Sequence, residues 1–553
     1  MHHKLLAQPD PIAPTIVGKG GLYIDLHERL VDRLRWPLMI AVIVLYLAGY
    51  NTAWRYQPDS ALYLEIGRNI AEGHGFTYHG VPNRLAYPGL PYLLATIHRV
   101  APWHVIPVAN AVMLLITLAS LAATYRLIYR AAGRSKAVAI TFILAQTVVF
   151  MKMSFSILTD MPFFLAVQAC LLGCECTGWL AQKPIGTDAP PRTAVDRRAG
   201  WLLVVLGLIL ATLMRPMMLP FIGALVAAVS VDAIRRRRFG AALVSTLMIA
   251  MVAIAIYTLD PRRSVTGMDR YEEQVIQRVS NVGQWLRECV GPNLLAFCHN
   301  TLPMTFFGFS FTLVGDFIVS GVLLSLCLWL LRVRPVWALW VLATTFTMVG
   351  VVPSSRYLLP LMPILLLAWW NLARYANLRL GRGYGGCVAF AIITLLLPGM
   401  VRSWGTVWSE QIARPFVASY HLGRYQAVDD MAKLIRQHTP PNAVVAIIVN
   451  DDTNAGILTY LTRRQVVETW DAVVPALAPR PVFVITEEAA TVARAMLAPR
   501  GLRAGEAWST PDYDLRDQIP LTLHSTSWRY RALFPPTAPM TRPAANNALP
   551  LPN

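Results

Sequence analysis

The sequence predicts a polytopic α-helical membrane protein with a small soluble α/β domain near its C-terminal end. Three observations carry that expectation. Hydrophobic residues make up 55% of the 553 residues and charged residues only 14%, against about 25% charged in a soluble globular protein. The apolar residues are gathered in long runs, and the mean hydropathy is +0.46. The basic excess, which sets the net charge at +18, stands between those runs, which is a topology signal and not a nucleic-acid surface. Together these exclude an ordinary cytosolic enzyme, and also a disordered chain, which needs low hydrophobicity.

A spanning helix needs about 20 mainly apolar residues. Eleven runs qualify as candidates: 37–54, 105–125, 136–151, 161–182, 200–214, 217–234, 240–258, 312–331, 336–352, 357–373 and 385–403. The fifth and sixth are parted only by Arg215 and Pro216, so they read either as two helices or as one broken segment. Residues 1–36 form a polar N-terminal segment, and the first run reads as a retained helix and not a cleaved signal. With the N-terminus in the cytoplasm, the inside segments hold 22 Lys and Arg, against 12 outside before Tyr357. That is the positive-inside pattern. It places the chain in the cytoplasmic (inner) membrane, with residues 404–553 outside.

Two outside loops, 55–104 and 259–311, are longer than connectors need to be. The first holds amphipathic stretches, with Ala61, Leu62, Leu64, Ile66 and Ile70 interleaved with Glu65 and Arg68, suited to lying at the interface. Residues 404–535 change character. Residues 425–438 read as an amphipathic helix, 443–449, 481–488 and 521–534 as strands, and 488–499 as a helix. No Gly-rich loop follows the first of these strands, which speaks for a structural or acceptor-docking domain over a nucleotide site. Residues 536–553, rich in Pro, Ala and Asn, read as a disordered tail.

Seven cysteines are too few for a disulfide scaffold. Cys170, Cys174 and Cys176 share one apolar segment and read as packing residues. Cys289 and Cys298 fall in the second outside loop and are the disulfide candidates. There is no P-loop, HExxH, CxxC or GxSxG motif, which speaks against ATP-driven transport in cis.

The candidate chemistry lies at one predicted surface. Asp59 follows the first helix in RYQPDSALYLE, and Asp160 opens the fourth in SILTDMPFF. Either has a turn or cap reading, Pro-Asp-Ser for Asp59 and Thr-Asp-x-Pro for Asp160. Carboxylates beside apolar helix ends are costly and usually have a partner or a task. As a pair they suit general-base work on an acceptor, or holding a divalent metal that neutralises a phosphate. Arg356, in SSRYLLPLMP, reads as a snorkelling anchor or as a phosphate clamp, since guanidinium grips phosphate oxygens in a bidentate fork. Arg84, Arg215 and Lys152 are further cations near run ends or in the first loop; His74 and His79 lack a third ligand at metal spacing.

The motifs PDSALYLEIGRNIAEGHGF with RLAYPGLPYLLA, SILTDMPFFLAV and SSRYLLPLMPILLLA, in this order, resemble the GT-C superfamily of polyprenyl-phosphate-dependent glycosyltransferases, in its protein-mannosyltransferase/aminoarabinose-transferase group. The likeness covers the layout of most of the first 400 residues. It implies a GT-C-like fold, with the C-terminal α/β domain also found in that superfamily. It implies transfer of a sugar from a polyprenyl-phosphate donor to a lipid, glycan or protein acceptor, with inversion. Residue by residue, Asp59 matches the first-loop catalytic acid, Asp160 the acid opening a later helix, and Arg356 with Tyr357 the late Arg-Tyr motif. Arg84 and Arg215 stand as further donor-phosphate ligands. Ser60 stands where several relatives have a second acid, and Tyr87-Pro88-Gly89 where many have a double proline. A transporter or flippase, a glycan polymerase or ligase, and an envelope scaffold are the competing readings.

Overall fold

The computed structural model describes residues 29–78, 81–83, 86–178, 193–236, 282–307, 309, 312–330, 334–351, 353–380, 384–408, 422–448, 455–467, 482–486, 502–509 and 522–528, with isolated positions in 243–254. Most of the run 240–258, residues 259–281, the stretch 488–499 and the tail 536–553 lie outside the described residues, as do Arg84 and His79. The chain divides into two compact units: Met1–Thr52 with Tyr87–Leu90 and Ile106–Ala413, and Ala53–Ala86 with Pro91–Val105 and Arg414–Asn553.

The first unit is helical. Its described helices include Arg35–Ala48, Arg134–Ala145, Val148–Ser154, Asp160–Thr177, Ala194–Met214, Met218–Arg236, Leu313–Leu330, Pro335–Gly350, Met362–Leu380 and Tyr384–Val407. The long helix Val105–Ala132 belongs to it from Ile106 onward. By length and composition, two described helices suffice to cross a membrane, Val105–Ala132 and Ala194–Met214, or three if the bent pair Arg134–Ala145 and Val148–Ser154 is one span.

The Asp160–Thr177 helix is the core of this unit, buried on nearly every side. It packs most closely against Ala194–Met214, and small residues make that approach possible. A Cβ on Gly173 would stand 2.5 Å from the Gly200 carbonyl oxygen, and one on Gly207 2.6 Å from that of Ala166. Small residues at such crossings are how apolar helices pack where no hydrophobic effect separates them from lipid.

Three expectations change. The run 136–151 is not one helix: it breaks at Gln146 and Thr147 and bends by 69°. The side chains there take over backbone hydrogen-bonding positions, Gln146 Nε2 donating to the Phe142 carbonyl at 3.1 Å and Thr147 Oγ1 to that of Leu144 at 2.8 Å. The segment 259–311, expected as a loop, is helical from Val282 to Phe306, with π turns at Leu286–Val290 and Phe297–Thr301. Cys289 and Cys298 lie nine residues apart on that continuous helical run, and both are free thiols. At about 1.5 Å of rise per residue they are well beyond the span a disulfide bridges, so the expected bridge is not formed. By contrast the break at Arg215 is real, with Ala194–Met214 ending just before it and Met218–Arg236 starting just after.

The second unit joins residues 53–86 and 91–105 to the C-terminal segment from Arg414. Its five-stranded sheet has the order Gln465–Val467, Val444–Ile448, Val482–Thr486, Thr522–Trp528, Leu502–Ser509. The first three strands are parallel and the last two antiparallel, with a register shift between Ala504 and Ala507. Val444–Ile448 is an unbroken apolar run, as a strand buried in a parallel arrangement should be. The helix Leu422–His438 buries Val428, Met431, Ala432 and Ile435, one face at helical spacing.

Within the same unit, the loop helix Pro58–Ala71 packs on the helix Ala455–Thr462. Arg68 pairs with Glu65, donates to the Tyr460 carbonyl at 3.0 Å and lies over the Tyr460 ring at 5.3 Å. Tyr56 hydrogen-bonds Asp429. A Cβ on Gly456 would stand 2.7 Å from Tyr78 Oη and 3.6 Å from Ala61 Cβ, a close approach that explains a glycine there.

Candidate functional site

Three separate chain breaks in the first unit supply one polar cluster. Ala194–Met214 ends at Arg215, which is extended because Pro216 follows and stops the helix. Asp160 is the first residue of its helix, and Thr159 precedes it. Arg356 and Tyr357 lie in the short helix Ser355–Leu358, which continues through Leu359–Leu361 into Met362–Leu380.

Arg215 Nη2 donates to Asp160 Oδ2 at 2.6 Å, and its Nε donates to Thr159 Oγ1 at 2.8 Å. The guanidinium lies 5.5 Å from the centre of the Tyr357 ring, a cation–π distance. Asp160 is 2% exposed and Arg215 7%. Gln168, two turns along the Asp160 helix, donates to the Pro360 carbonyl at 2.9 Å and so anchors the Arg356–Tyr357 segment to the core. Arg356 itself is half-buried. Thr159 makes no side-chain cap hydrogen bond; its hydroxyl and the Asp160 carboxylate both serve the arginine.

Chemically this is a held cation. The carboxylate and the hydroxyl fix two edges of the Arg215 guanidinium, the ring covers a face, and Arg356 stands next to that ring in the chain. Among the described residues no group of three or more His, Cys, Asp and Glu is placed to hold a metal ion.

Asp59 belongs to the other unit. It lies in the first turn of Pro58–Ala71, after an extended Gln57 and with Pro58 at the helix start, where a carboxylate is favoured by the helix dipole. It is half-exposed. Its neighbours in the chain are fixed: Trp54 Nε1 donates to Ser60 Oγ at 3.0 Å, Ser60 Oγ donates to the Gln57 carbonyl at 2.8 Å, and Trp54 meets the rings of Tyr56 and Tyr460 edge-on. Burial raises the Glu65 carboxyl above its ordinary range, with Arg68 opposing. Burial also pushes the His98 imidazole down to about 4.

The sequence reading therefore names Asp160, Arg215 and Tyr357, which the structure brings together, with Arg356 adjoining; Asp59 it places on a rigid helix start. Lys152 is half-buried in the last turn of Val148–Ser154, and His74 lies 3.6 Å from Glu72 in an exposed pair. Cys170, Cys174 and Cys176 are buried free thiols. The sequence reading did not name His299 or Asp316. His299 Nδ1 lies 2.5 Å from Asp316 Oδ2, with Asp316 wholly buried and His299 36% exposed. The π turn at Phe297–Thr301 that carries it has no signature in the sequence.

No protein-family model matches the sequence, and no curated protein matches it. Solved structures do. ArnT from Cupriavidus metallidurans bound to undecaprenyl phosphate superposes with a TM-score of 0.51 at 14% identity, over 88% of this chain and 97% of that one. The same protein in the apo state gives 0.52 at 15% identity over the same shares. The likeness runs nearly the full length of both chains and is one of fold. The fold is GT-C-like.

Proposed function

We propose that this chain is a membrane glycosyltransferase that moves a sugar from a polyprenyl-phosphate donor to an extracytoplasmic acceptor, with inversion. The observation that carries the reading is the Arg215 guanidinium held by Asp160 and Thr159 under Tyr357. It sits in a GT-C-like fold whose solved neighbour was crystallised with undecaprenyl phosphate. The eleven-span topology, with residues 404–535 outside, is part of the same reading.

The donor's prenyl tail stays in the bilayer and its phosphate meets Arg356 and Tyr357, with Arg215 and Arg84 as further cations. As the bond between the anomeric carbon and the phosphate oxygen breaks, negative charge gathers on the leaving phosphate. Arg215, already held by Asp160 and Thr159, stabilises that charge without reorganising. Asp59 takes the proton of the acceptor hydroxyl or amine as the new bond forms on the opposite face of the sugar. Asp160 acts through Arg215 and is a positioning residue. A metal at Asp59 or Asp160 would take over part of the phosphate neutralisation; no step above requires one. The acceptor is a lipid, a glycan or a protein, and the C-terminal domain helps select it.

The test is release of polyprenyl phosphate and labelled product from radiolabelled polyprenyl-phosphate sugars, using membranes that hold wild type or Arg356→Ala at matched abundance. Transfer by the wild type that falls by about 10²-fold or more in Arg356→Ala supports the reading. Transfer unchanged in Arg356→Ala removes the clamp, and lipid movement without transfer would favour the flippase.

A further inference from the structure

The first unit contains a crevice of about 540 Å³ between the helices Arg35–Ala48, Val105–Ala132 and Arg134–Ala145. Its lining repeats on all three helices. Each contributes an arginine at one end of the crevice: Arg35, Arg126 and Arg134. Apolar residues follow one and two turns deeper on two of them, Met39 and Val42 after Arg35 and Ala122 and Leu118 before Arg126, while Val138 and then Thr141 follow Arg134. Spacings of four and seven or eight put these residues on one face of each helix. The crevice is thus cationic at one end and hydrocarbon-like for about 12 Å beyond it.

Aromatic residues suit the cationic end to the headgroup level of a bilayer. Trp36 is 66% exposed there and Tyr125 lines the wall, and exposed Trp and Tyr mark the membrane–water interface. It is also the end that the basic-residue count places in the cytoplasm. The charge there is poorly balanced among the described residues. Asp32 pairs with Arg35 at 3.4 Å, with both side chains about a third or more exposed. Arg134 lies over the Tyr129 ring at 6.0 Å with Asp32 within electrostatic reach, so this one carboxylate faces both Arg35 and Arg134, and Arg126 has no carboxylate partner among the described residues. Thr141, two turns beyond Arg134, also lines the crevice, and its buried hydroxyl has no hydrogen-bond partner among the described residues. Such a hydroxyl is costly in a purely apolar groove.

We infer that this crevice is a binding site for an anionic phospholipid. The phosphodiester lies among Arg35, Arg126 and Arg134, one acyl chain runs along Val42, Leu118 and Val138, and Thr141 meets the polar ester region. Basic pockets between membrane helices hold anionic headgroups in this way, and arginine suits phosphate oxygens through its planar fork. The site is separate from the Arg215 cluster and does not depend on the glycosyltransferase reading.

The experiment is native mass spectrometry of the purified full-length protein, titrated with dioleoyl phosphatidylglycerol or with dioleoyl phosphatidylcholine. Three proteins are compared: wild type, the double variant Arg126→Gln/Arg134→Gln, and Ala122→Trp. The substituted positions are exposed, so the core is untouched. The wild type is expected to hold one phosphatidylglycerol at least 10-fold more tightly than phosphatidylcholine. Both variants are expected to lose that preference, the first by removing charge and the second by filling the groove. Equal retention of the two lipids by the wild type, or unchanged preference in the double variant, overturns the proposal. Preference lost in the double variant but intact in Ala122→Trp also overturns it, because the groove then plays no part. Displacement of the lipid by millimolar inorganic phosphate would mean that a free anion is the ligand, and overturns it as well.

Discussion

Arg215 and Asp160, 55 residues apart in the chain, form a buried ion pair, Nη2 donating to Oδ2 at 2.6 Å. The pair joins the start of the core helix to the break between two apolar helices. Removing one partner of a buried pair costs about 3–5 kcal/mol, whereas replacing both with apolar residues is often neutral. Asp160→Ala is therefore expected to lower the thermal midpoint of the detergent-purified protein and to abolish transfer. The double variant Asp160→Leu/Arg215→Leu should recover the midpoint and remain inactive. Recovery of transfer together with stability would reduce the pair to a structural brace.

The other end of the same helix has a matching pair. Glu175 and Arg334 are both 2% exposed and doubly bonded, with Nη2 donating to Oε2 at 3.1 Å as the longer contact. Fifteen residues of helix separate Glu175 from Asp160, about 22 Å. Glu175→Leu is expected to destabilise like Asp160→Ala, but Glu175→Leu/Arg334→Leu should restore both the midpoint and transfer. A double-mutant cycle of thermal midpoints and turnover reads this directly; an inactive, stable double variant would give this end a function too.

The docking of the loop helix on the C-terminal helix has a direct chemical test. Ala61 Cβ lies 3.6 Å from the Cβ position of residue 456, inside the range that a disulfide spans. In a Tyr78→Phe background, which removes the Oη that a Cβ at 456 would meet at 2.7 Å, Ala61→Cys/Gly456→Cys is expected to cross-link under mild oxidation, so that the proteolytic fragments carrying residues 61 and 456 migrate together until reduced. Fragments that separate without reductant would show that the two helices do not meet.

His98 makes the second unit pH-sensitive. Burial holds its imidazole neutral down to about 4, with Arg68 and Arg463 reinforcing and Glu72 opposing. The unfolded chain takes up that proton near pH 6.5. Above pH 6.5 both states leave the ring neutral, and the stability it protects is fully present. As pH falls from 6.5 to 4, only the unfolded state gains the proton, so stability is lost across that window. Unfolding midpoints of wild type minus His98→Gln should therefore decline from pH 6.5 to 4 and flatten above it. Glu65 titrates in both proteins and drops out of the difference. A pH-independent difference would contradict the buried, neutral imidazole.

Much of this was legible in the sequence, and the rest was not for identifiable reasons. Composition and run length disclose the apolar helices, and Arg215-Pro216 discloses a break, because proline and charge act locally. The bend at Gln146 and Thr147 carries no proline or glycine; its cause is side-chain hydrogen bonding back to the helix, which the pattern does not show. The acid at Asp160 is the right residue type in a costly place, yet its arginine partner is set by helix packing. The union of the first loop with the C-terminal domain rests on contacts such as Tyr56 with Asp429, 373 residues apart, and no local signal reports those. The second outside loop misled because polar residues alternate with Phe297, Leu302 and Phe306, which read as loop but lie buried on a helix.

The central claim is that Asp59, at the start of Pro58–Ala71, accepts the acceptor's proton during sugar transfer from a polyprenyl phosphate. Asp59→Asn keeps the shape and removes the base. Single-turnover transfer by the purified protein with an active donor should fall by about 10²–10⁴-fold in Asp59→Asn, with donor affinity within a few-fold of wild type. Transfer at the wild-type rate in Asp59→Asn would contradict the account and move the base elsewhere.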